Sequence, residues 1–448
     1  MGACERAVRL AVRMGAESSE VFALRDQGGT VDMEKGDVAG AEWSETLGFG
    51  IRIVKNKRVG FAYASVEERL KDAVEAALRA SKLGKPLPKF EFPGPRRPPR
   101  VTGLYDPRIA SLGGEELLSF AGELLDAVVD VREDLLVAGG GIHVGVTEAA
   151  VANSQGLERT SKETGLGGSA YVVQRRDGVS TGFANAESTR SDLKWARIGR
   201  EAGDLAVRSS NPQKLEKGKA MACILRPDPA ADLLGTVTIP SLYGKPARRG
   251  ESYYSGKVGK RVMHDKVSIV DDATIPRGLG STPFDDEGVP SAPRKIVAAG
   301  TLKSYLFDHY DAAEHGDRAT GNAVRAHPFD GRSYKSPPTT SALQIRVVAP
   351  HTTTEKLVAS VDDGLLLHDM MGVHTANAVS GDFSVTSSVV FRVRKGAVEG
   401  PVAPLSVAGN VHKALGKGLR LGDDVKAIGG SPAWNLPAVL FEGFTVTP

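Results

Sequence analysis

The sequence predicts an α+β protein in which N-terminal α/β modules precede a mainly β C-terminal domain, barrel- or sandwich-like, with inserted helices. Length is the first reason, because 448 residues exceed what one hydrophobic core usually organises. Composition is the second, since 52 glycines beside a 41% apolar fraction are typical of a folded, turn-rich chain. Periodicity is the third, because alternating patterns dominate after residue 219. We therefore expect domains at residues 1–90, 100–210 and 219–448.

The N-terminal module begins with a helical pattern over residues 4–14, followed by extended segments at 20–23 and 30–35. Residues 47–54 and 58–64 flank a short polar turn and predict a β-hairpin.

A second helix is expected from a capping box of Ser65 and Glu68 to about Leu83. Residues 84–99 contain six prolines and cannot continue that helix. We expect a solvated linker there, including the basic run at 96–100, which lacks the interleaved aromatic residues of a nucleic-acid site.

The middle module is expected to contain a helix around residues 117–128, an antiparallel meander over 142–184 and a closing helix over 192–208. The expected turns of the meander are residues 153–156 and the pair Asp177 and Gly178.

In the C-terminal domain the clearest strand patterns are residues 343–348, 387–393 and 438–445. Inserted helices are predicted over 229–237 and from Thr352, which forms a second capping box with Glu355.

Charge and composition exclude several classes of partner. The formal net charge of +3 is too small to indicate a nucleic-acid or anionic-membrane partner. No apolar run reaches the length of a membrane span, and the N-terminus lacks the apolar region of a signal peptide. Cys4 and Cys223 are the only cysteines, so a disulfide framework and a multi-cysteine zinc site are excluded. We expect a cytoplasmic protein.

Motif spacing predicts no nucleotide-dependent enzyme, since neither a phosphate loop ending in Gly-Lys-Ser/Thr nor a Gly-x-Gly-x-x-Gly run occurs. We do not expect a serine hydrolase either. His309 and His315 are six residues apart, as are His368 and His374, which would place each pair on nearly opposite sides of a helix. Surface or capping roles are therefore favoured over a zinc site built from either pair, although histidines distant in the chain could still assemble one.

Several segments in order along the chain resemble the TldD/PmbA family, whose members are also described as modulators of DNA gyrase or TldD/TldE peptidases. The N-terminal part of the resemblance is the glycine-rich hairpin Leu-Gly-Phe-Gly-Ile-Arg-Ile-Val at 47–54, with residues 58–62. The more specific C-terminal segments lie at residues 279–288, 300–306, 320–323, 380–384 and 407–410.

The resemblance implies that this chain is of the PmbA/TldE type. The TldD type carries a His-Glu-x-x-x-His zinc motif and a later cysteine ligand. The stretch that corresponds to the zinc motif, residues 227–235, contains no histidine or glutamate. The stretch that corresponds to the cysteine ligand, residues 426–432, contains no cysteine. We therefore expect no catalytic residue and no cofactor in this chain, with zinc held by a TldD-like partner subunit, and a peptide as substrate. A homodimer is possible in isolation.

The same resemblance nominates residues for peptide binding or a subunit interface: Phe284, Asp285, Asp286, Glu287, Gly321, Asn322, Ser380, Gly381, Asp382 and Phe383. Ordinary turn chemistry is the competing interpretation for the polar residues, and a core position is the competing interpretation for Phe383. For the acidic run, Asp285 and Glu287 could also grip a hard cation. Two other functions stay open, a stand-alone homodimeric peptide-binding scaffold and, less favoured, a regulator of DNA gyrase.

Overall fold

A computed structural model describes residues 1–175, 179–216, 218–327 and 331–448. The α-helices of the described residues are α1 Gly2–Arg13, α2 Leu70–Ser81, α3 Pro107–Ala110, α4 Gly114–Val131, α5 Trp195–Arg208, α6 Pro227–Leu233, α7 Gly244–Arg249, α8 His309–His315, α9 Thr354–Ala359 and α10 Val411–Lys417. The strands of the N-terminal half are β1 Ser18–Glu34, β2 Asp37–Lys55, β3 Arg58–Ala64, β4 Leu135–Asn153, β5 Glu158–Gln174 and β6 Ser180–Ser188. The strands of the C-terminal half are β7 Lys219–Leu225, β8 Ser268–Asp271, β9 Arg294–Ala298, β10 Thr301–Leu302, β11 Ala323–Val324, β12 Ala326–His327, β13 Gly331–Arg332, β14 Thr339–Thr340, β15 Gln344–Val348, β16 Asp363–Leu367, β17 Asp382–Ser387, β18 Val390–Arg394, β19 Ala397–Val402, β20 Leu405–Asn410, β21 Arg420–Leu421, β22 Lys426–Ile428, β23 Ala433–Leu436 and β24 Val439–Thr447.

The N-terminal half is built on one antiparallel sheet of strand order β3-β2-β1-β4-β5-β6. Strand β1 runs against β4 from the pair Glu20 and Asn153 to the pair Met33 and Gly140. The two modules predicted from the sequence therefore share a single sheet, and the segment at 84–106 connects two parts of it.

Amphipathic helices cover this sheet in two groups. In α1 the buried residues Cys4, Ala7, Val8 and Ala11 recur at helical spacing and pack with α2 on one half of the sheet. Helices α4 and α5 pack together over the other half. Their close approach requires Gly199, since a Cβ there would lie 2.3 Å from a backbone oxygen of α4.

The C-terminal half contains two larger sheets, with orders β10-β9-β8-β15-β23-β22 and β17-β20-β24-β7-β16-β18-β19. One hydrophobic core joins both sheets and also includes α6 and the π-helical turn Leu234–Thr238 that follows it. Both sheets are open among the described residues. Of the two predicted forms of the C-terminal domain, the sandwich-like form therefore describes it better than the barrel-like form.

A small apolar cluster holds the two halves together. Phe22 and Leu24 of β1 pack with Leu157, and from the C-terminal half Phe284 and Tyr334 complete the cluster. The predicted site residues around Phe284 are thus placed at the junction of the halves.

Both predicted capping boxes are wrong in detail. A 3-10 turn, Glu67–Arg69, precedes α2, and α2 has no side-chain cap. At α9 the cap is Thr353, whose hydroxyl accepts a hydrogen bond from the Lys356 amide.

Two further predictions need correction. The strand expected at 387–393 is interrupted, because Asp369 accepts hydrogen bonds from the amides of Ser388 and Val389 and turns the chain between β17 and β18. The segment at 84–99 has no regular structure but is not a solvated linker throughout, since Phe90 and Phe92 are buried against the domain junction. The expected turn at Asp177 and Gly178 lies outside the described residues.

Candidate functional site

The acidic turn at 284–288 is fixed by its own carboxylates. Asp285 accepts hydrogen bonds through Oδ1 from the amides of Glu287 at 3.0 Å and Val289 at 2.9 Å, and through Oδ2 from the amide of Ala323 at 3.0 Å. These bonds join the turn to β11, so the Asp285 side chain is occupied within the chain.

A buried ion network connects this turn to the N-terminal sheet. Arg52 of β2 donates to Glu20 of β1 through Nε at 3.0 Å and Nη2 at 2.8 Å, and its Nη1 lies 2.8 Å from Glu287 Oε1. Arg325 approaches the same Glu20 at 2.6 Å. All four side chains are at most 2% exposed, so their charges are compensated by groups of the protein rather than by solvent.

Asp286 and Glu287 extend the network on either side. Asp286 accepts hydrogen bonds from the Arg325 amide at 2.6 Å and from Arg332 Nε at 3.0 Å. Glu287 Oε2 accepts from the backbone amide of His309 at 3.0 Å and lies 2.8 Å from its Nδ1. The acidic run thus binds the chain's own arginines and imidazole, with no three-ligand arrangement for a hard cation among the described residues.

The carboxyl groups of the network have divergent pKa values. Burial opposes ionisation of Glu287, but Arg52 and His309 hold its pKa well below the usual range. Burial and the neighbouring Glu287 raise the pKa of Asp285. Burial and the neighbouring carboxylates of Glu287 and Asp311 also raise the pKa of Asp308, the N-cap of α8.

The polar turn at 320–322 lies beside the acidic turn and is also structural. The side-chain amide of Asn322 donates to Asp271 Oδ2 at 2.6 Å and to the Ser341 carbonyl at 3.1 Å. Its Oδ1 accepts from Thr320 at 2.8 Å, and Gly321 supplies a φ of +77°. Asn322 is 2% exposed and therefore joins three chain segments rather than facing solvent.

The segment at 380–383 stands apart. Phe383 is buried against Phe444, whereas Asp382 is exposed at the end of edge strand β17. Asn410 donates to the Ser380 carbonyl at 2.8 Å and to Asp382 at 2.7 Å, which brings together two motifs of the family resemblance.

Among the described residues no hydrogen bond or ion pair joins the segment at 380–383 to the acidic turn. As peptide or subunit contacts, the nominated residues stay predictions, and the exposed Asp382 is the one best placed for such a role.

The two stretches compared with the zinc motif and the cysteine ligand do come together, at a cleft of about 650 Å³ between the halves. Asp228 lies on α6 and Lys426 on β22. Lys426 Nζ lies 3.0 Å and 2.7 Å from the two carboxylate oxygens of Asp228, and it also donates to Asn185 of β6. One ammonium group therefore bridges three elements from both halves of the chain.

A second ion pair and a histidine complete the wall of this cleft. Arg226 Nη1 lies 2.5 Å from Asp424 Oδ2, and Asp424 Oδ1 also accepts from Thr354 at 2.7 Å. Burial, with Arg226 and Arg208, lowers the pKa of His368 to about 3, so its imidazole is neutral at neutral pH.

These residues do not fit a zinc ion. A protein zinc site needs at least three nitrogen, sulfur or oxygen ligands in one sphere. His368 Nε2 is buried without a hydrogen-bond partner in the described chain, but it is a single imidazole. Asp228 and Asp424 are already bound to cations of the protein, and the described residues contain no group of three or more His, Cys, Asp or Glu that could hold a metal ion.

Neither histidine pair assembles. His309 and His315 begin and end α8, and His309 is held by Glu287. His368 lines the cleft, whereas His374 is exposed in the 3-10 turn Val373–Thr375.

One pentapeptide, residues 178–182, does have the Gly-x-Ser-x-Gly spacing of a nucleophile elbow. Ser180, however, begins strand β6 rather than a strand-to-helix turn. Its buried hydroxyl lies 2.8 Å from Gln174 Oε1 and 2.7 Å from the carbonyl oxygen of Ala206. Ser180 therefore lacks the exposed strand-to-helix position of a nucleophile-elbow serine.

Sequence reasoning missed the residues that form the cleft, above all Lys426, Asp228 and His368. A signal was present, because the two stretches lacking zinc ligands carry opposite charges at Asp228 and Lys426. None of the described helices has the length and apolarity to cross a membrane.

Family models match nearly the whole chain. The model described as PmbA/TldA metallopeptidase domain 1 covers residues 19–81, the central domain covers 107–210, and the C-terminal domain covers 217–448.

Individual relatives match over similar lengths. An uncharacterized protein of Methanocaldococcus jannaschii is 26% identical over 98% of both chains. A metalloprotease PmbA homolog of Haemophilus influenzae is 27% identical over 94% of this chain and 90% of its own. The crystal structure of TldE from Thermococcus kodakarensis, 22% identical, covers 100% of both chains with a TM-score of 0.91, which shows that the folds are the same.

Proposed function

Because the chain belongs to the PmbA/TldD metallopeptidase family, we propose that it is the zinc-less, PmbA/TldE-type subunit of a cytoplasmic peptidase complex. In this proposal a TldD-like partner holds the zinc and cuts unfolded peptides, and this chain helps to enclose and hold them. It supplies no catalytic residue.

The observation that carries the proposal is the position of the Lys426 ammonium. It lies against both oxygens of Asp228, where α6 meets β22. A zinc-bound water of lowered pKa is the usual nucleophile of a metallopeptidase. A fixed ammonium donates hydrogen bonds but cannot generate that hydroxide, so this cleft is suited to binding rather than to hydrolysis.

The sheet edges at the cleft support a role in peptide binding. Strand β6 is the last strand of the N-terminal sheet, and β22 is the last strand of a C-terminal sheet. Residues of both strands line the cleft. An extended peptide can add to such an edge through main-chain hydrogen bonds, which tolerate many side-chain sequences.

The proposal is tested by expressing the chain alone and together with a TldD-like subunit from the same genome. Zinc content, native mass and cleavage of a disordered peptide are measured for each preparation. We expect the lone chain to carry no stoichiometric zinc and to cleave nothing, and the pair to copurify, carry zinc and cleave.

The alternatives predict different results. A stand-alone homodimeric scaffold would not copurify with the zinc subunit. Chelator-sensitive cleavage by the lone chain, with zinc bound, would overturn the proposal outright.

A further inference from the structure

We propose that a second cavity, beside the proline-rich segment, is a binding site for a small oxyanion, namely a carboxylate or phosphate group. The cavity measures about 480 Å³ and lies between residues 93–96 and the start of α8. It shares no lining residue with the cleft at Lys426, so it is a separate site.

The charged residues that line this cavity are Arg96, His309 and Arg318, without an Asp or Glu. Glu91 and Asp317 line an adjoining cavity that shares Arg96 and His309. Arg318 is not neutralised by its neighbour Asp317, because Arg248 binds both oxygens of that carboxylate, at 2.7 Å and 2.5 Å. Neither Arg96 nor Arg318 has an ion-pair partner within the described ranges.

His309 contributes a donor in a fixed orientation. Its Nδ1 lies 2.8 Å from Glu287 Oε2, and that carboxylate is itself buried and paired with Arg52. With Nδ1 donating to Glu287, Nε2 can donate to a ligand only when the ring is protonated. The side chain is 21% exposed, so it is reachable from the cavity.

The charged groups that face His309 favour its protonated form. Burial and Arg52 oppose protonation, but Glu287 and then Asp285 raise the pKa of His309 overall. An imidazolium between a buried carboxylate and two arginines is a suitable partner for an anion. Binding should therefore weaken as pH rises through the pKa of this histidine.

The shape of the donors fits oxyanions in particular. A guanidinium presents a planar fork that matches carboxylate and phosphate oxygens, and the resulting charge-assisted bonds are about twice as strong as neutral ones. Pro93 and Pro290 supply apolar walls. The volume lies within the roughly 300–1,000 Å³ of small-ligand sites.

Calorimetric titration of the full chain at pH 6.5 and low salt tests the proposal. The probes are inorganic phosphate, an acetylated tripeptide with a free C-terminal carboxylate, and the same tripeptide as its C-terminal amide. Saturable one-to-one binding of phosphate identifies a phosphate group as the ligand chemistry. Saturable binding of the free acid but not the amide identifies a carboxylate.

Variants locate the binding. Arg96→Gln and Arg318→Gln should each weaken binding by about tenfold, the effect of losing one charge-assisted hydrogen bond. Arg97→Gln is the matched control, because Arg97 is exposed next to Arg96 but does not line the cavity. Circular dichroism verifies that each variant is folded. The proposal would be overturned by absence of saturable binding of both phosphate and acid. It would also be overturned by equal binding of acid and amide without binding of phosphate, or by an equal loss in Arg97→Gln.

Discussion

Replacing Arg52 with methionine should destabilise the protein strongly, because it removes a cation from the buried network. Breaking a buried ion pair by deleting one partner costs about 3–5 kcal/mol. Arg52 contacts both Glu20 and Glu287, but each of these retains one cation, Arg325 or His309, respectively. We therefore expect the lower end of that range, about 3 kcal/mol, with methionine filling much of the vacated volume.

The assay is urea unfolding of the full chain at pH 7. Arg69→Met is the control, because the ion pair of Arg69 with Asp72 is 2.9 Å long and its side chains are 73% and 61% exposed. Such surface pairs contribute less than about 1 kcal/mol. If Arg52→Met costs no more than this control, the buried network does not contribute to stability as argued and the reasoning is refuted.

Three other changes test the junction and the cleft. The stability of Asp308→Asn relative to wild type should increase between pH 4 and pH 8. Burial raises the pKa of the wild-type carboxyl above its unfolded value, so the wild-type folded state loses stability as that group ionises. Urea midpoints at both pH values measure this difference, and a pH-independent difference contradicts the prediction. Lys426→Met should lower the free energy of unfolding by about 1 kcal/mol, because the bonds of Lys426 to Asp228 are lost. The lone variant chain should still carry no stoichiometric zinc. One zinc per chain by elemental analysis would show that the lysine had masked a metal site. Gly288→Ala should cost about 1–3 kcal/mol in the same urea assay, since φ is +80° and the added Cβ would lie 2.6 Å from Leu157 Cδ2, and an unchanged midpoint would show that the turn can relax.

Local sequence patterns predicted the elements whose neighbours are close in the chain. The hairpin at 47–64 is present as β2 and β3, and the helical spacing at 117–128 lies within α4. These signals depend on hydrophobic periodicity over a few turns, which a single sequence displays. The capping box at α9 failed by one residue, since the cap is Thr353, and the one at α2 failed because a 3-10 turn precedes the helix.

The candidate site was harder to predict because its contacts are distant in the chain. Glu20 and Arg325 are 305 positions apart, and Lys426 and Asp228 are 198 apart. Nothing local distinguishes Glu20 from an exposed glutamate on an alternating strand. The acidic run at 285–287 was recognised as unusual, but its partners became visible only in three dimensions.

The pairing of β1 with β4 has a consequence for how the protein responds to proteolysis. A cut in the exposed basic stretch near Arg97 would produce two polypeptides, yet the ladder from Glu20 to Met33 would still bind one to the other. Such a nicked chain should elute as one particle on gel filtration and run as two bands on a denaturing gel, and neither fragment should be stable when produced alone.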